Sequence, residues 1–385
     1  MERNILLLSI FLLCHMTAFA QTLYTDEDLE PLLKLGSASD RDYTMGLSIG
    51  PRGSNPNSLI FKPGSWITKK LLGKHMPNRT NLLEFTMPWT INGTAFTPDD
   101  LTSYAPVTND RPYAFILYLS TKKLYLNVEK HSLFASEFNY GLTGTHIGKW
   151  VQTKIHETMN DDDTKDPHTP RGWSNQISNG GELTFLYSLS YEKLITDQRM
   201  HRQQERGTVE LKHGVKAMIG YYTGAQYQLA GRLGLLDVRN WIRSTNPLGG
   251  GDKDIATRAQ AEADLNLGKI NREEYKRIMK NDQMKSHYSS RRKFELFAFS
   301  SIRPTFMLYN ELLNGKIRQS AHTFNFKQTQ HFMLEWTTGV GLGFPAFASY
   351  VNLSWTINAG RTAQFRTDMA TKHQWGAVGI SIVPK

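Results

Sequence analysis

The sequence predicts an all-β fold: a closed antiparallel outer-membrane β-barrel of about 12 strands, with a short amphipathic helix between the fifth and sixth. Three observations predict it. Segments of roughly ten residues alternate apolar and polar side chains, long enough to cross a bilayer at a tilt. No run of about 18 apolar residues follows the N-terminal leader, so no helix spans a membrane. The leader itself, residues 1–20, has the pattern of an export signal.

In that leader, Arg3 supplies a small positive region, Ile5 to Leu13 is almost wholly apolar, and Ala18-Phe19-Ala20 has the small-x-small pattern of a cleavage site. Residues 21–385 then form one barrel domain. Cys14, the only cysteine, lies in the leader, so disulfides play no part in the mature chain. The formal charge of +10 points to acidic partners such as phosphates or lipid headgroups. Nucleic acid is excluded as a partner, because an exported chain without a binding motif has no use for one.

The strands fall at roughly 22–28, 42–51, 82–91, 111–127, 132–144, 182–195, 207–222, 225–236, 293–310, 321–344, 347–358 and 373–384. In the sixth, Leu183, Phe185, Tyr187, Leu189 and Tyr191 share a face, opposed by Thr184, Ser188 and Ser190. In the tenth, Leu334, Trp336, Val340 and Leu342 oppose Glu335, Thr337 and three glycines. Trp336, Trp355 and Trp375 suit interfacial girdles. A soluble β-sandwich or a periplasmic barrel shares this alternation, and the chain ends Ile382-Val383-Pro384-Lys385 rather than on the aromatic residue common in outer-membrane barrels. Segment 250–285, rich in helix formers and charge, reads as a helical or mobile insertion.

The helix is the exception in an all-β chain. Ile147, Val151, Ile155 and Met159 recur at helical spacing, and Gln152 and His156, four apart, share one face. Asp161 to Asp163 follow. A proton acceptor, an amide and nearby carboxylates are the parts of a hydrolytic site. The bland alternatives are a structural histidine and a solvated acidic loop. Gly46-Leu47-Ser48-Ile49-Gly50 matches GxSxG, but it lies within a strand and no helix follows, so it is no nucleophile elbow. In a barrel the first–second, third–fourth and fifth–sixth connections all open on one rim. The same parity sends 52–81 and 237–292 to the other rim, where turns are usually short.

Several local blocks resemble one family, the outer-membrane lipid A 3-O-deacylases called LpxR. They are Asp42-Tyr43-Thr44-Met45-Gly46, Asn109-Asp110-Arg111-Pro112-Tyr113-Ala114, the Gln152-Thr153-Lys154-Ile155-His156 helix, Gly172-Trp173-Ser174-Asn175-Gln176, and Tyr309-Asn310 with Gly315 and Ser320-Ala321-His322-Thr323. Their order and spacing run from about residue 24 to 380. The resemblance implies a calcium-dependent esterase that removes the 3′-acyloxyacyl group from lipid A in the outer membrane, with lipopolysaccharide as partner and a monomeric barrel. It implies His156 as the base, with Gln152 and Thr44 beside it. Asp28 takes the position of a metal-binding aspartate, and Glu27 stands where the family has asparagine. Asp162 is the acidic residue beyond the histidine by plain spacing, with Asp161, Asp163 and Asp166 as rivals. Arg41, Arg111 and Arg171 are candidates to clamp lipid A phosphates. Loss of catalysis through the Glu27 departure, leaving a barrel with a lipid-binding, structural or transport role, is the alternative.

Overall fold

The computed structural model describes residues 20–27, 45–51, 58–72, 82–127, 130–159, 170–196, 206–237, 241, 261, 264–265, 268–280, 294–346, 349–370 and 372–384. The strands are β1 (Ala20–Glu27), β2 (Met45–Pro51), β3 (Leu82–Thr86), β4 (Thr90–Phe96), β5 (Ala114–Asn127), β6 (Ser132–Thr143), β7 (Glu182–Leu194), β8 (Arg206–Gly220), β9 (Tyr222–Asp237), β10 (Glu295–Asn310), β11 (Phe332–Ala346), β12 (Ser349–Arg361) and β13 (His373–Pro384). Among the described residues four α-helices accompany them: α1 (Lys62–Leu72), α2 (Ile147–Met159), α3 (Arg272–Lys280) and the single turn α4 (Glu311–Asn314). Every pairing is antiparallel.

The pairings return on themselves. From β1 they run through β2, β4 and β5, on from β6 to β13, and back to β1. β3 and β4 lie on the same edge of β5, the first beside Lys123–Asn127 and the second beside Ala114–Ser120. They are two halves of one wall position. Met87-Pro88-Trp89 interrupts them, and Pro88 has no N–H to give the ladder. The ring therefore has twelve positions, as the alternation predicts. Closure leaves no open sheet edge, the condition for strands to stand in lipid.

Which face is outer follows from the ladder. Leu117, Leu142 and Leu183 are successive register partners, as are Leu119, Tyr140 and Phe185, and Leu183 is 78% exposed. The other face holds Glu210, Arg232 and Glu295, all buried; Arg232 makes a two-pronged contact with Glu210 at 3.0 and 2.6 Å. A polar lumen inside an apolar wall is the pattern of a membrane barrel. Apolar clusters pack inside the wall toward both ends: Phe96, Ile116, Ile177, Leu186, Tyr221 and Leu312 at one mouth, and Phe85, Leu124, Leu126, Leu133, Leu194 and Trp241 at the other.

Two expectations need correction. The segment 321–331 is not strand: β11 begins at Phe332, and α4 with the following loop folds over the mouth. The alternating aromatic Phe324 packs instead on Phe365, rings stacked at 4.9 Å, with Leu313 beside them. Trp375 is no girdle residue either. The regular alternation of β13 puts it on the inner face with the buried Ala377, where it stacks on His373 beneath the Arg361 guanidinium. Trp336 and Trp355 do stand on the outer wall, paired with the exposed Ile302 and Val340.

Candidate active site on the outer wall at one mouth

The antiparallel ladder sends the connections 28–44, 97–113, 144–181, 311–331 and 362–372 to one rim. Backbone bonds tie the second of these to the third. Arg171 N–H donates to Leu101 O (2.8 Å) and Ile177 N–H to Tyr113 O (2.8 Å).

Helix α2 lies against the outer wall at this rim. Gly148 faces Phe115, where a Cβ would meet the Phe115 Cβ at 2.7 Å, so glycine permits the approach. Phe115 is two residues from Leu117 on the outer face, and it is covered by a cluster of Ala95, Leu101, Tyr113 and Trp173. Across the wall the register runs Phe115, Ala95, Met45, Glu27. With neighbouring strands about 4.8 Å apart, the ends of β1 and β2 stand roughly 10–15 Å from the foot of α2. Gln152 lies one helical turn beyond Gly148, and His156 one turn further.

Gln152 is the best-defined member of the site. It is 2% exposed, and its Oε1 accepts a 2.7 Å bond from Trp173 Nε1. That bond fixes the amide and leaves its Nε2 with no partner among the described residues. An orphaned buried donor costs on the order of 1–3 kcal/mol, which a ligand oxygen would offset. Trp173 is itself positioned. The 3-10 turn Gly172–Asn175 holds it, its ring lies 5.1 Å from that of Tyr113, and a Cβ on Gly172 would strike Tyr113 at 2.4 Å. Burial pushes the Tyr113 phenol up, which keeps it neutral and leaves it no role as a base.

The other motif residues are clamps. Asp110 accepts from Arg111 N (2.7 Å) and Asp99 N (2.8 Å), and Thr367 Oγ1 donates to Asn109 O (2.5 Å). Gln176 Nε2 donates to Asn179 Oδ1 (3.2 Å), and Ser320 Oγ accepts from Ser178 N (3.0 Å). Burial lowers the pKa of His322, and a bond to the Asp110 backbone partly opposes this.

The predicted residues divide as follows. Gln152 is in place. His156 lies on α2, with its side chain outside the described residues. Glu27 ends β1 and pairs with Met45 through the backbone; Asp28 and Thr44, each one peptide bond from that pair, lie outside the described residues, as do Arg41, Asp161, Asp162, Asp163 and Asp166. Among the described residues no three His, Cys, Asp or Glu side chains gather around a metal position. Arg111 is a correction. It is fully buried, stacked 3.8 Å from Phe96 and bonded to Gln364 in the mouth plug, so a lipid phosphate does not reach it. Arg171 remains exposed, above Tyr104. Trp173, which fixes the Gln152 amide, and Gly148, which admits α2 to the wall, are positions that the sequence reading did not single out. A tryptophan beside a buried amide is the signal that points to the first.

An antiparallel barrel with an apolar outer wall, a polar lumen and a loop helix laid on that wall defines the class: a membrane β-barrel protein. The chain belongs to the family described as Outer membrane protein LpxR, whose family model matches residues 6–383. Among solved structures it is similar to LpxR from Salmonella typhimurium, at TM-score 0.59 and 14% identity, covering 94% of this chain and 99% of that one. A looser likeness, at TM-score 0.37 and 9% identity, is to the beta domain of the Bordetella autotransporter Brka, covering 94% and 96%. No curated protein matches by sequence.

Proposed function

We propose that the protein is a calcium-dependent lipid A 3-O-deacylase, acting at the outer-leaflet mouth of its barrel. The observation that carries this reading is the Gln152 amide on α2, against the outer wall, whose Nε2 has no partner among the described residues. A lumen enzyme would take a soluble substrate. A donor on the lipid-facing flank meets a substrate held in the membrane.

His156, neutral, removes a proton from water as that water attacks the 3′ ester carbonyl. Gln152 Nε2 donates to the oxygen on which negative charge develops. On collapse the sugar oxygen leaves with the proton from the imidazolium, and the acyloxyacyl chain departs as a carboxylic acid. Asp162, or one of its neighbours, holds the imidazole in its productive tautomer. Arg41 and Arg171 hold phosphate at the rim.

Glu27, Asp28 and Thr44 would offer oxygen ligands, which suit a hard cation; the backbone pair of Glu27 with Met45, their sequence neighbours, supports this reading. Bound there, calcium supplies a Lewis acid that polarises the ester carbonyl.

Mass spectrometry of lipid A from cells expressing the protein tests the proposal. Loss of one acyloxyacyl group is expected, dependent on calcium and abolished in His156→Ala, where removing a general base lowers the rate about 10²–10⁴-fold. Unchanged lipid A from a well-folded barrel would favour the inactive alternative that the Glu27 departure suggests. Fatty acid released only from phospholipid would make it an esterase of another lipid.

A further inference from the structure

The inference concerns α1, which leans on the opposite half of the outer wall. Its wall-facing side is small and polar. Gly64 sits against Phe138, where a Cβ would lie 3.0 Å from the Phe138 Cβ. Thr68 Oγ1 lies 2.5 Å from Ser136 Oγ and 3.2 Å from Tyr187 OH, and it donates to Gly64 O. Thr121, Phe138, Tyr187 and Ile219 are successive register partners, and Ile219 is exposed, so this is the outer face. Toward the same rim that face is apolar at Leu233, Leu235 and Leu296. Under α1 it is not: Thr121, Ser136 and the Tyr187 hydroxyl stand outward and are buried by the helix. Hydroxyls facing hydrocarbon without partners are costly.

The helix covers this polar window and presents a different surface. Trp66 is 63% exposed and Leu71 56%, with Leu59 exposed just before them. Lys62, Lys69 and Lys70 are exposed on the same segment, and Lys70 Nζ lies 4.8 Å from the Trp66 ring centre. Residues 52–81 contain six Lys and Arg and no Asp or Glu. Pro51 and Leu82, the strand ends flanking this connection, lie on the rim opposite the candidate active site. Tryptophan, leucine and lysine on one exposed helix are the composition of a segment that lies in a membrane interface, apolar groups in the acyl layer and ammonium groups at the phosphates.

We propose that α1 is an interfacial anchor that binds anionic phospholipid in the leaflet opposite the candidate active site. Trp66 and Leu71 enter the acyl boundary, and Lys69 and Lys70 hold the headgroup phosphates. The barrel thereby meets two lipid classes through two helices on its outer wall. The proposal rests on the outer-membrane reading, and its test separates the two.

Because the mature chain has no cysteine, single-cysteine variants Leu71→Cys and Val340→Cys are labelled with an environment-sensitive fluorophore. The full mature barrel is then reconstituted in phosphatidylcholine vesicles with and without phosphatidylglycerol. Val340 is an outer-wall reference far from α1 in sequence. Lipid-borne spin labels are expected to quench both positions to within about twofold of each other, and aqueous iodide neither. Quenching at 340 with iodide quenching at 71 overturns the anchor and leaves the membrane reading intact. Iodide quenching at both positions overturns the membrane reading and the anchor with it. Native mass spectrometry reads the headgroup part. A lysine at an anionic surface contributes about fivefold in lipid partition. Lys69→Gln with Lys70→Gln is therefore expected to reduce retained phosphatidylglycerol by roughly tenfold or more, without changing phosphatidylcholine. Equal retention in the double variant overturns the anionic preference.

Discussion

Helices α1 and α2 both lie on the outer wall, at opposite ends, and both use a glycine for close approach. They differ in how their buried polar atoms are satisfied. Thr68 on α1 has three partners, Gly64 O, Ser136 and Tyr187. Gln152 on α2 has one, Trp173, and its amide nitrogen has none among the described residues. The polar contact under α1 is complete without a ligand, as expected of a structural seam. The contact under α2 holds one group rigidly in order to leave another free, as expected of a site.

Breaking the α2 contact has the largest expected effect. Gln152→Ala removes the free donor, and kcat for lipid A deacylation is expected to fall about 10²-fold or more, as for loss of an oxyanion donor. The thermal midpoint should move little, because only the Trp173 bond is lost. Equal losses in kcat and stability would instead make Gln152 a structural residue like Thr68. Next comes Gly148→Ala. Its new Cβ meets Phe115 and must lift the helix, an overpacking worth about 1–3 kcal/mol that improved helix propensity offsets by about 1. Activity is expected to drop several-fold, and Phe115→Leu in the same chain to restore part of it. Wild-type rates in Gly148→Ala would show that α2 need not touch the wall.

On α1, Thr68→Val keeps shape and removes the hydroxyl. About 1 kcal/mol of stability should be lost in chemical unfolding of the reconstituted barrel, with deacylation unchanged. A loss of activity equal to that of Gln152→Ala would erase the distinction between the helices. The smallest effect concerns the mouth loop. His322 is held below its unfolded value by burial. As pH falls through about 6.5 the unfolded loop takes up protons that the docked loop resists, so docking weakens, and the loss levels off below the folded pKa. Hydrogen exchange over 315–331 should quicken from pH 7 toward pH 5 in the wild type and stay level in His322→Gln.

The wall was legible in the sequence because period-two alternation is a property of consecutive residues. Leu183, Phe185 and Tyr187 announce an outer face without knowledge of their partners. The α2 helix and the Gln152–His156 pair were legible for the same reason, at period 3.6. Errors arose where a residue's surroundings come from far along the chain. Phe324 and Phe326 alternate like a strand, yet Phe365 and Leu313 draw Phe324 into a loop. Arg111 reads as a surface cation, yet Phe96 and Gln364 enclose it. α1 went unread because its packed face is Gly64 and Thr68, which carry no apolar stripe.

By itself, then, the sequence determined the class of the fold, the number of wall positions, the shared rim of the motif-bearing connections and the helix that carries the amide and imidazole. All of these follow from local periodicity and from the up-and-down parity of strands. Only the tertiary structure decided that both helices lie outside the cylinder rather than in its lumen, that apolar clusters pack inside the wall toward both ends, and that Trp173 turns the Gln152 amide so that its nitrogen faces no acceptor among the described residues. Those outcomes depend on which distant side chains share a face after closure, and that is set by strand register rather than by any residue's neighbours in the chain.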